Sequence, residues 1–213
     1  MNLQQIEQFM KDRVPGDVGK RKNCSVLIPL VEIDGELHIL YTQRSSRLKT
    51  QPGDVCFPGG VMESGETPLQ CAVREAEEEI GIPIEKIRVI GQFDSIYEVR
   101  NITMHTVIGV IEEEDLKLLK PNPDEVAKVF TVPYKFFEEV EPYIYEYDVV
   151  QKVDDFPYEE MGVNPDYKWR VGRNLVPIWH YGEGEDRQLL WGLTALITLW
   201  LKDKLEEYNE SVK

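Results

Sequence analysis

Residues Ala72 to Gly81 read AVREAEEEIG and place four glutamates, Glu75, Glu77, Glu78 and Glu79, within five positions. On a helix, Glu78 and Glu79 lie three and four residues beyond Glu75, so these three side chains share a ridge and repel one another. They also occupy the last turns of the expected helix, where the macrodipole disfavours negative charge. Each effect is only a few tenths to about 1 kcal/mol, but both act in the same direction. Arg74 offsets part of the repulsion by pairing with Glu78 one turn later. A charge run is ordinarily a solvated helix face. One set where local electrostatics oppose it makes better sense as a cation site. Three carboxylates supply hard oxygen ligands suited to Mg²⁺ or Mn²⁺, and the alternating loop of a calcium site is not present. Glu77 is rotated off the ridge and reads as solvent-facing.

A divalent ion has a use in this chain. The formal net charge is −15, which argues against a nucleic-acid surface, since that needs clustered Lys and Arg. An anionic substrate such as a diphosphate would itself be repelled. Mg²⁺ or Mn²⁺ would bridge the repulsion, polarise phosphoryl oxygens and acidify a water. Attack on phosphorus then needs positioning and a carboxylate that accepts the water's proton. Glu75 is one candidate, as base or purely as ligand. Glu125 in NPDEVAKVF is another, with a surface acid beside a strand as the alternative. Upstream, Arg44, Arg47 and Lys49 form a basic island suited to a further phosphate; the alternative is that they pair with surface acids.

These residues need elements to position them. The ridge sits on a helix expected from about Pro68 to Ile80, with Thr67 as N-cap, Pro68 at the first position and Gln70 completing a capping box. Leu69, Ala72, Val73, Ala76 and Ile80 form its expected buried stripe, and Gly81 ends it. CSVLIPLVEI and ELHILYTQ read as strands joined at Asp34-Gly35, a tight hairpin signal. KIRVIGQF, MHTVIGVI and VAKVFTV read as further strands, and YKFFEEV as a short helix. Leu3, Ile6, Phe9 and Met10 recur at helical spacing near the N-terminus. The apolar run QLLWGLTALITLWL is shorter than a membrane span requires and reads as part of a closing helix from about Gln188 to Tyr208. Trp191 and Trp200 are expected to pack on it. Strands on either side of a central helix, with another helix last, indicate a mixed α/β sandwich.

The chain reads as one domain over residues 1–213, with an irregular, aromatic and acidic elaboration at about 141–186. Tyr143, Tyr145 and Tyr147 alternate there as on a strand and could line the active site or a homodimer contact. A hydrophobic fraction of 42% is globular. Cys24, Cys56 and Cys71 show no C-x-x-C spacing, and His38, His105 and His180 are scattered, so no zinc site is indicated. MNLQQIEQFMKDR lacks the apolar core of a secretory leader, and the terminal SVK is not a peroxisomal address. A cytoplasmic protein without nucleic-acid or membrane partners is the expectation.

From Gly60 to Ile82 the residues GVMESGETPLQCAVREAEEEIGI resemble the box of the Nudix hydrolases, G-x5-E-x7-R-E-U-x-E-E-x-G-U with U aliphatic. The fit runs through Gly60, Glu66, Arg74, Glu75, Glu78, Glu79, Gly81 and Ile82, with Ala76 in one aliphatic slot. The resemblance implies an α/β/α sandwich with a mixed sheet and a catalytic loop-helix-loop that hydrolyses a diphosphate linked to another moiety. It further implies that Glu75, Glu78 and Glu79 hold the divalent metal, that Arg74 orients them, and that Gly59 and Gly60 shape the loop. Leu40 to Gly60, LYTQRSSRLKTQPGDVCFPGG, resembles a second signature, that of the coenzyme A pyrophosphatase branch. Thr42, Arg44, Ser45, Gly53, Phe57, Pro58, Gly59 and Gly60 fit. Tyr41 replaces an aliphatic residue, and Lys49 stands where arginine is expected. The implied reaction converts CoA and water to 4′-phosphopantetheine and adenosine 3′,5′-bisphosphate. Two alternatives stand beside it: a Nudix hydrolase for another nucleotide such as ADP-ribose, and a sensing module that does not hydrolyse, which the intact box disfavours.

Overall fold

The structure is a computed structural model and describes residues 2–11, 13, 19, 21–98 and 101–212. The elements follow in chain order as α1 (Leu3–Lys11), β1 (Lys22–Ile33), β2 (Glu36–Arg44), β3 (Val55–Cys56), β4 (Gly59–Val61), α2 (Pro68–Ile80) and β5 (Ile87–Gln92). There follow β6 (Ile96–Glu98), β7 (Ile102–Ile111), β8 (Val126–Pro133), α3 (Tyr134–Glu139), β9 (Tyr143–Val149), α4 (Tyr158–Met161), β10 (Gly172–Tyr181), β11 (Gln188–Trp191) and α5 (Gly192–Ser211).

Alternation along β1 and β2 creates the layers. Val26 and Ile28 of β1, with Ile39 and Tyr41 of β2, enter one core, whose other wall is Phe137 of α3 and Ala195, Ile197 and Leu201 of α5. Leu27, Val31 and Leu40 point the opposite way, into a second core closed by Ala72, Ala76 and Ile80 of α2. Side chains two apart share a face of a strand, so the sheet is packed on both sides and the architecture is an α/β/α sandwich. The sheet is mixed: β1 runs parallel to β7 and antiparallel to β2. Asp34 and Gly35 both adopt positive φ, 51° and 80°, the conformation of the tight turn their sequence calls for.

Helix α2 forms where its end signals place it. The Thr67 Oγ1 accepts from Gln70 N, the Gln70 side chain accepts from Thr67 N, and Gly81 closes the helix at φ 70°. Its stripe differs in one place: Leu69 is exposed and Cys71 is buried instead. Helix α1 also forms, with its apolar stripe exposed.

Residues 143–191 contribute a second, three-stranded antiparallel sheet in the order β11-β10-β9. This corrects the expected closing helix, which starts at Gly192 rather than near Gln188. Along β11, burial alternates residue by residue, with Gln188 and Leu190 inside and Leu189 and Trp191 outside. Gly192, at φ 61°, supplies the left-handed break before the helix. Trp191 and Trp200 are both near half exposed rather than packed. Among the described residues no helix is long and apolar enough to cross a membrane.

Candidate active site

The acid ridge is built around Arg74. Its guanidinium donates from Nε to Glu66 Oε1 at 2.9 Å and from a terminal nitrogen to Glu66 Oε2 at 3.2 Å. The other terminal nitrogen meets Glu75 Oε1 at 2.9 Å and Glu78 Oε2 at 3.0 Å. One planar fork therefore ties the loop before α2 to two ridge acids, a geometry that lysine cannot reproduce. The hydrogen bond from Arg74 holds the Glu66 carboxyl below its usual range. Glu66 is the partner that spacing on the helix did not reveal, because it lies eight residues back across a turn.

Glu79 is different. It is 8% exposed, and among the described residues its Oε2 is buried without a hydrogen-bond partner. Burial pushes its carboxyl up to about 8, and the charges of Glu75 and Glu125 add to the effect. The Gly59 backbone amide and the Arg44 guanidinium oppose it. Glu75 is also raised, chiefly by burial and then by Glu78 and Glu125, with Arg74 opposing.

Two glycines let the loop come this close, and they face opposite ways. A Cβ on Gly60 would sit 2.5 Å from the Glu75 carboxylate, whereas one on Gly59 would run into the Ser25 carbonyl and the Val26 Cα. Backbone has little room to yield. Gly59→Ala is expected to destabilise the fold by about 1–3 kcal/mol, the usual cost of overpacking, read as a fall of several degrees in melting temperature.

Glu125 reaches the site through its loop. Lys120 N donates to Ile80 O at 2.8 Å and Asn122 N to Glu79 O at 2.9 Å, so the loop caps the C-terminal carbonyls of α2. Gly81 permits the approach, since a Cβ there would meet Lys120 O at 2.6 Å. Ser45 fastens the other side, with its N on Glu125 O at 2.8 Å and its Oγ on Pro123 O at 3.0 Å. Exposed Glu125 thus acts electrostatically on both Glu75 and Glu79.

The basic island does not converge as a unit. Arg44, at the end of β2, lies near enough to Glu79 to affect its ionisation, and donates to Thr50 O. Arg47 pairs with Asp124 at 2.7 Å with both side chains exposed. Lys49 is exposed. A cavity of about 610 Å³ between α5 and the β5–β7 strands is lined by Phe93, Tyr97 and Trp200, among others, and by none of the ridge acids.

Among the described residues no group of three His, Cys, Asp or Glu side chains is placed to hold a metal ion; Arg74 engages Glu75 and Glu78, while Glu79 is buried and accepts from the Gly59 backbone amide. The donor set nevertheless fits a hard divalent cation: a buried carboxylate oxygen without a partner, neighbouring acids whose charges raise the Glu75 and Glu79 carboxyls, and a loop shaped closely around Glu75. The carboxylates that would hold it are Glu75, Glu78 and Glu79.

The fold and the site together are an α/β/α sandwich that carries an acid-lined loop-helix-loop. The sequence model of the NUDIX domain matches residues 22–147, well over half of the chain, and the chain belongs to the Nudix family. "Nudix hydrolase 3" of Caenorhabditis elegans is 40% identical over 134 residues, covering 62% of this chain and 56% of that protein. "Peroxisomal coenzyme A diphosphatase NUDT7" of Mus musculus is 34% identical over 147 residues, covering 66% and 61%. "Mitochondrial coenzyme A diphosphatase NUDT8" of Homo sapiens is 29% identical over 178 residues, covering 83% and 66%. The chain thus spans less than two thirds of the length of these curated relatives.

Proposed function

We propose that the protein is a Mg²⁺- or Mn²⁺-dependent diphosphatase that cleaves coenzyme A or its derivatives to 4′-phosphopantetheine, or its acyl form, and adenosine 3′,5′-bisphosphate. The observation that carries the reaction class is the buried, unpartnered Glu79 oxygen beside Glu75 and Glu125. Such an oxygen is costly to bury in its ionised form, and a bound cation would offset that cost as a proton otherwise does. The substrate reading is supported by the Thr42–Gly60 signature and by the two relatives named as coenzyme A diphosphatases.

A divalent ion on the ridge supplies Lewis acidity toward the diphosphate and acidifies water. The chain does the rest. Arg74 fixes Glu75 and Glu78, and Gly60 lets the loop backbone lie against Glu75. Glu75, engaged by Arg74, serves as a ligand, while exposed Glu125 accepts the proton of the attacking water. Arg44 and Lys49 face the substrate's phosphates, with Arg47 held by Asp124 until an anion competes for it.

The test is product identification with Mg²⁺ or Mn²⁺ and a panel of CoA, 3′-dephospho-CoA, ADP-ribose, NADH and nucleoside triphosphates. CoA turnover is expected to exceed the rest by an order of magnitude, and preferred cleavage of ADP-ribose would overturn the substrate reading. Lys49→Ala is expected to raise KM for CoA about fivefold, the worth of one exposed ionic contact, and to leave 3′-dephospho-CoA unaffected. Equal cleavage of CoA and 3′-dephospho-CoA would remove the 3′-phosphate from the role of the basic loop.

A further inference from the structure

The second sheet has two unlike faces. Trp179 and Leu190 are opposed in register and point into the core with α3 and α5. Glu146 and Asp148 of β9 and Arg173 of β10 belong to the same side, where they pair with one another. The register places Tyr143 opposite Ile178, Tyr145 opposite Val176 and Tyr147 opposite Asn174, and Trp191 opposite Ile178. Those residues make the other, outward face. Tyr143 is 68% exposed, Tyr145 53%, Tyr147 43%, Trp191 43% and Leu189 42%. The tyrosines are ordered among themselves: Tyr145 and Tyr147 stack at 6.4 Å, and the Tyr147 hydroxyl accepts from Asn174 at 3.1 Å.

We propose that this aromatic face is the contact between two copies of the chain, packed sheet on sheet about a two-fold axis. Three observations favour a second copy. First, among the described residues of its three strands this face carries His180, opposite Leu189, but no carboxylate, lysine or arginine, although the chain's net charge is −15. Two such chains repel one another, and an uncharged patch is where they can meet. Second, the composition is that of an interface core, rich in Tyr and Trp and depleted in charge. Third, the area is sufficient. The five exposed side chains present about 500 Å² per copy, taking aromatic side chains at 150–250 Å² each. An isologous pair therefore buries about 1,000 Å², the size at which a specific interface begins, and half-buried Val176 and Ile178 add to it. Inner faces of packed sheets interdigitate through such alternating rows.

The test is solution mass by sedimentation over a concentration series. The wild-type chain is expected at twice its 24.7 kDa. Tyr145→Glu and Trp191→Glu, each placing a charge on the face, are expected at one chain's mass with an unchanged far-ultraviolet spectrum. Glu146→Lys, on the opposite side of the same strand, is expected to leave the dimer intact. A wild-type protein that stays a single chain at the highest concentration overturns the proposal and leaves the face to a different partner. A dimer that survives both glutamate substitutions overturns it as well.

Discussion

Glu79→Gln is expected to make the metal-free protein more heat-stable while abolishing its metal-dependent turnover. Both halves follow from one oxygen. A carboxyl raised to about 8 by burial is penalised whenever it ionises in the fold. Measured from a usual 4.5, a shift of that size is worth on the order of 5 kcal/mol. The sign is unambiguous: the folded state binds the proton more tightly than the unfolded one, so stability falls as pH rises between about 4.5 and about 8. Glutamine has no charge to desolvate. The melting-temperature gap between variant and wild type should widen across that pH interval and then level off. Added Mn²⁺ should close the gap by stabilising the wild type alone, through preferential binding to the native state. Turnover should fall by a factor on the order of 10³, equivalent to the several kcal/mol that a correctly held metal supplies. Equal melting curves at pH 8 would remove the buried charge from the account. Retained turnover would remove Glu79 from the ligand set.

The second large effect belongs to Arg74→Lys, a substitution that keeps the charge and discards the fork. Arg74 joins Glu66, Glu75 and Glu78 at 2.9 to 3.2 Å. An ammonium can serve only some of those acceptors at once. Released, Glu75 and Glu78 sample orientations that no longer favour a shared cation. Mn²⁺ affinity measured by calorimetry should drop 10- to 100-fold, as when other groups that orient metal ligands are removed. CoA turnover at saturating Mn²⁺ should recover only in part. Full affinity in the lysine variant would show that charge alone, and not planar geometry, arranges the ridge.

Much of this was legible in the sequence, for a reason that also marks where legibility ended. The α2 helix and the Asp34-Gly35 hairpin are specified by residues a few positions apart, and their cap and turn chemistry acts locally. Helical spacing places Glu75, Glu78 and Glu79 within one turn of α2, but it does not show that Glu79 turns inward while Glu78 stays exposed. Contacts across space were hidden: Glu66 on Arg74, Arg44 near Glu79, and Glu125 brought in by a loop that caps α2. For Glu125 the sequence left two readings open, and only the fold shows its charge acting on the ridge. Arg47, read with the basic island, also pairs with Asp124 across space. The run from Gln188 to Leu201 misled differently. Its β11 portion is too apolar for alternation to be visible, and only pairing with β10 separates strand from helix.

The way Ser45 is fastened has a bearing on how new substrates could be reached. Its two bonds to the segment bearing Glu125, with that segment's bonds to the end of α2, lock the acid ridge and the Glu125 loop into a closed girdle. Residues 46–52 extend beyond it, anchored at two points, by Arg44 on Thr50 O and by Arg47 on Asp124. On the proposed function, exchange or lengthening of positions between those two anchors would change what the substrate meets while the bonds of Ser45 keep the acid ridge and the Glu125 loop in place.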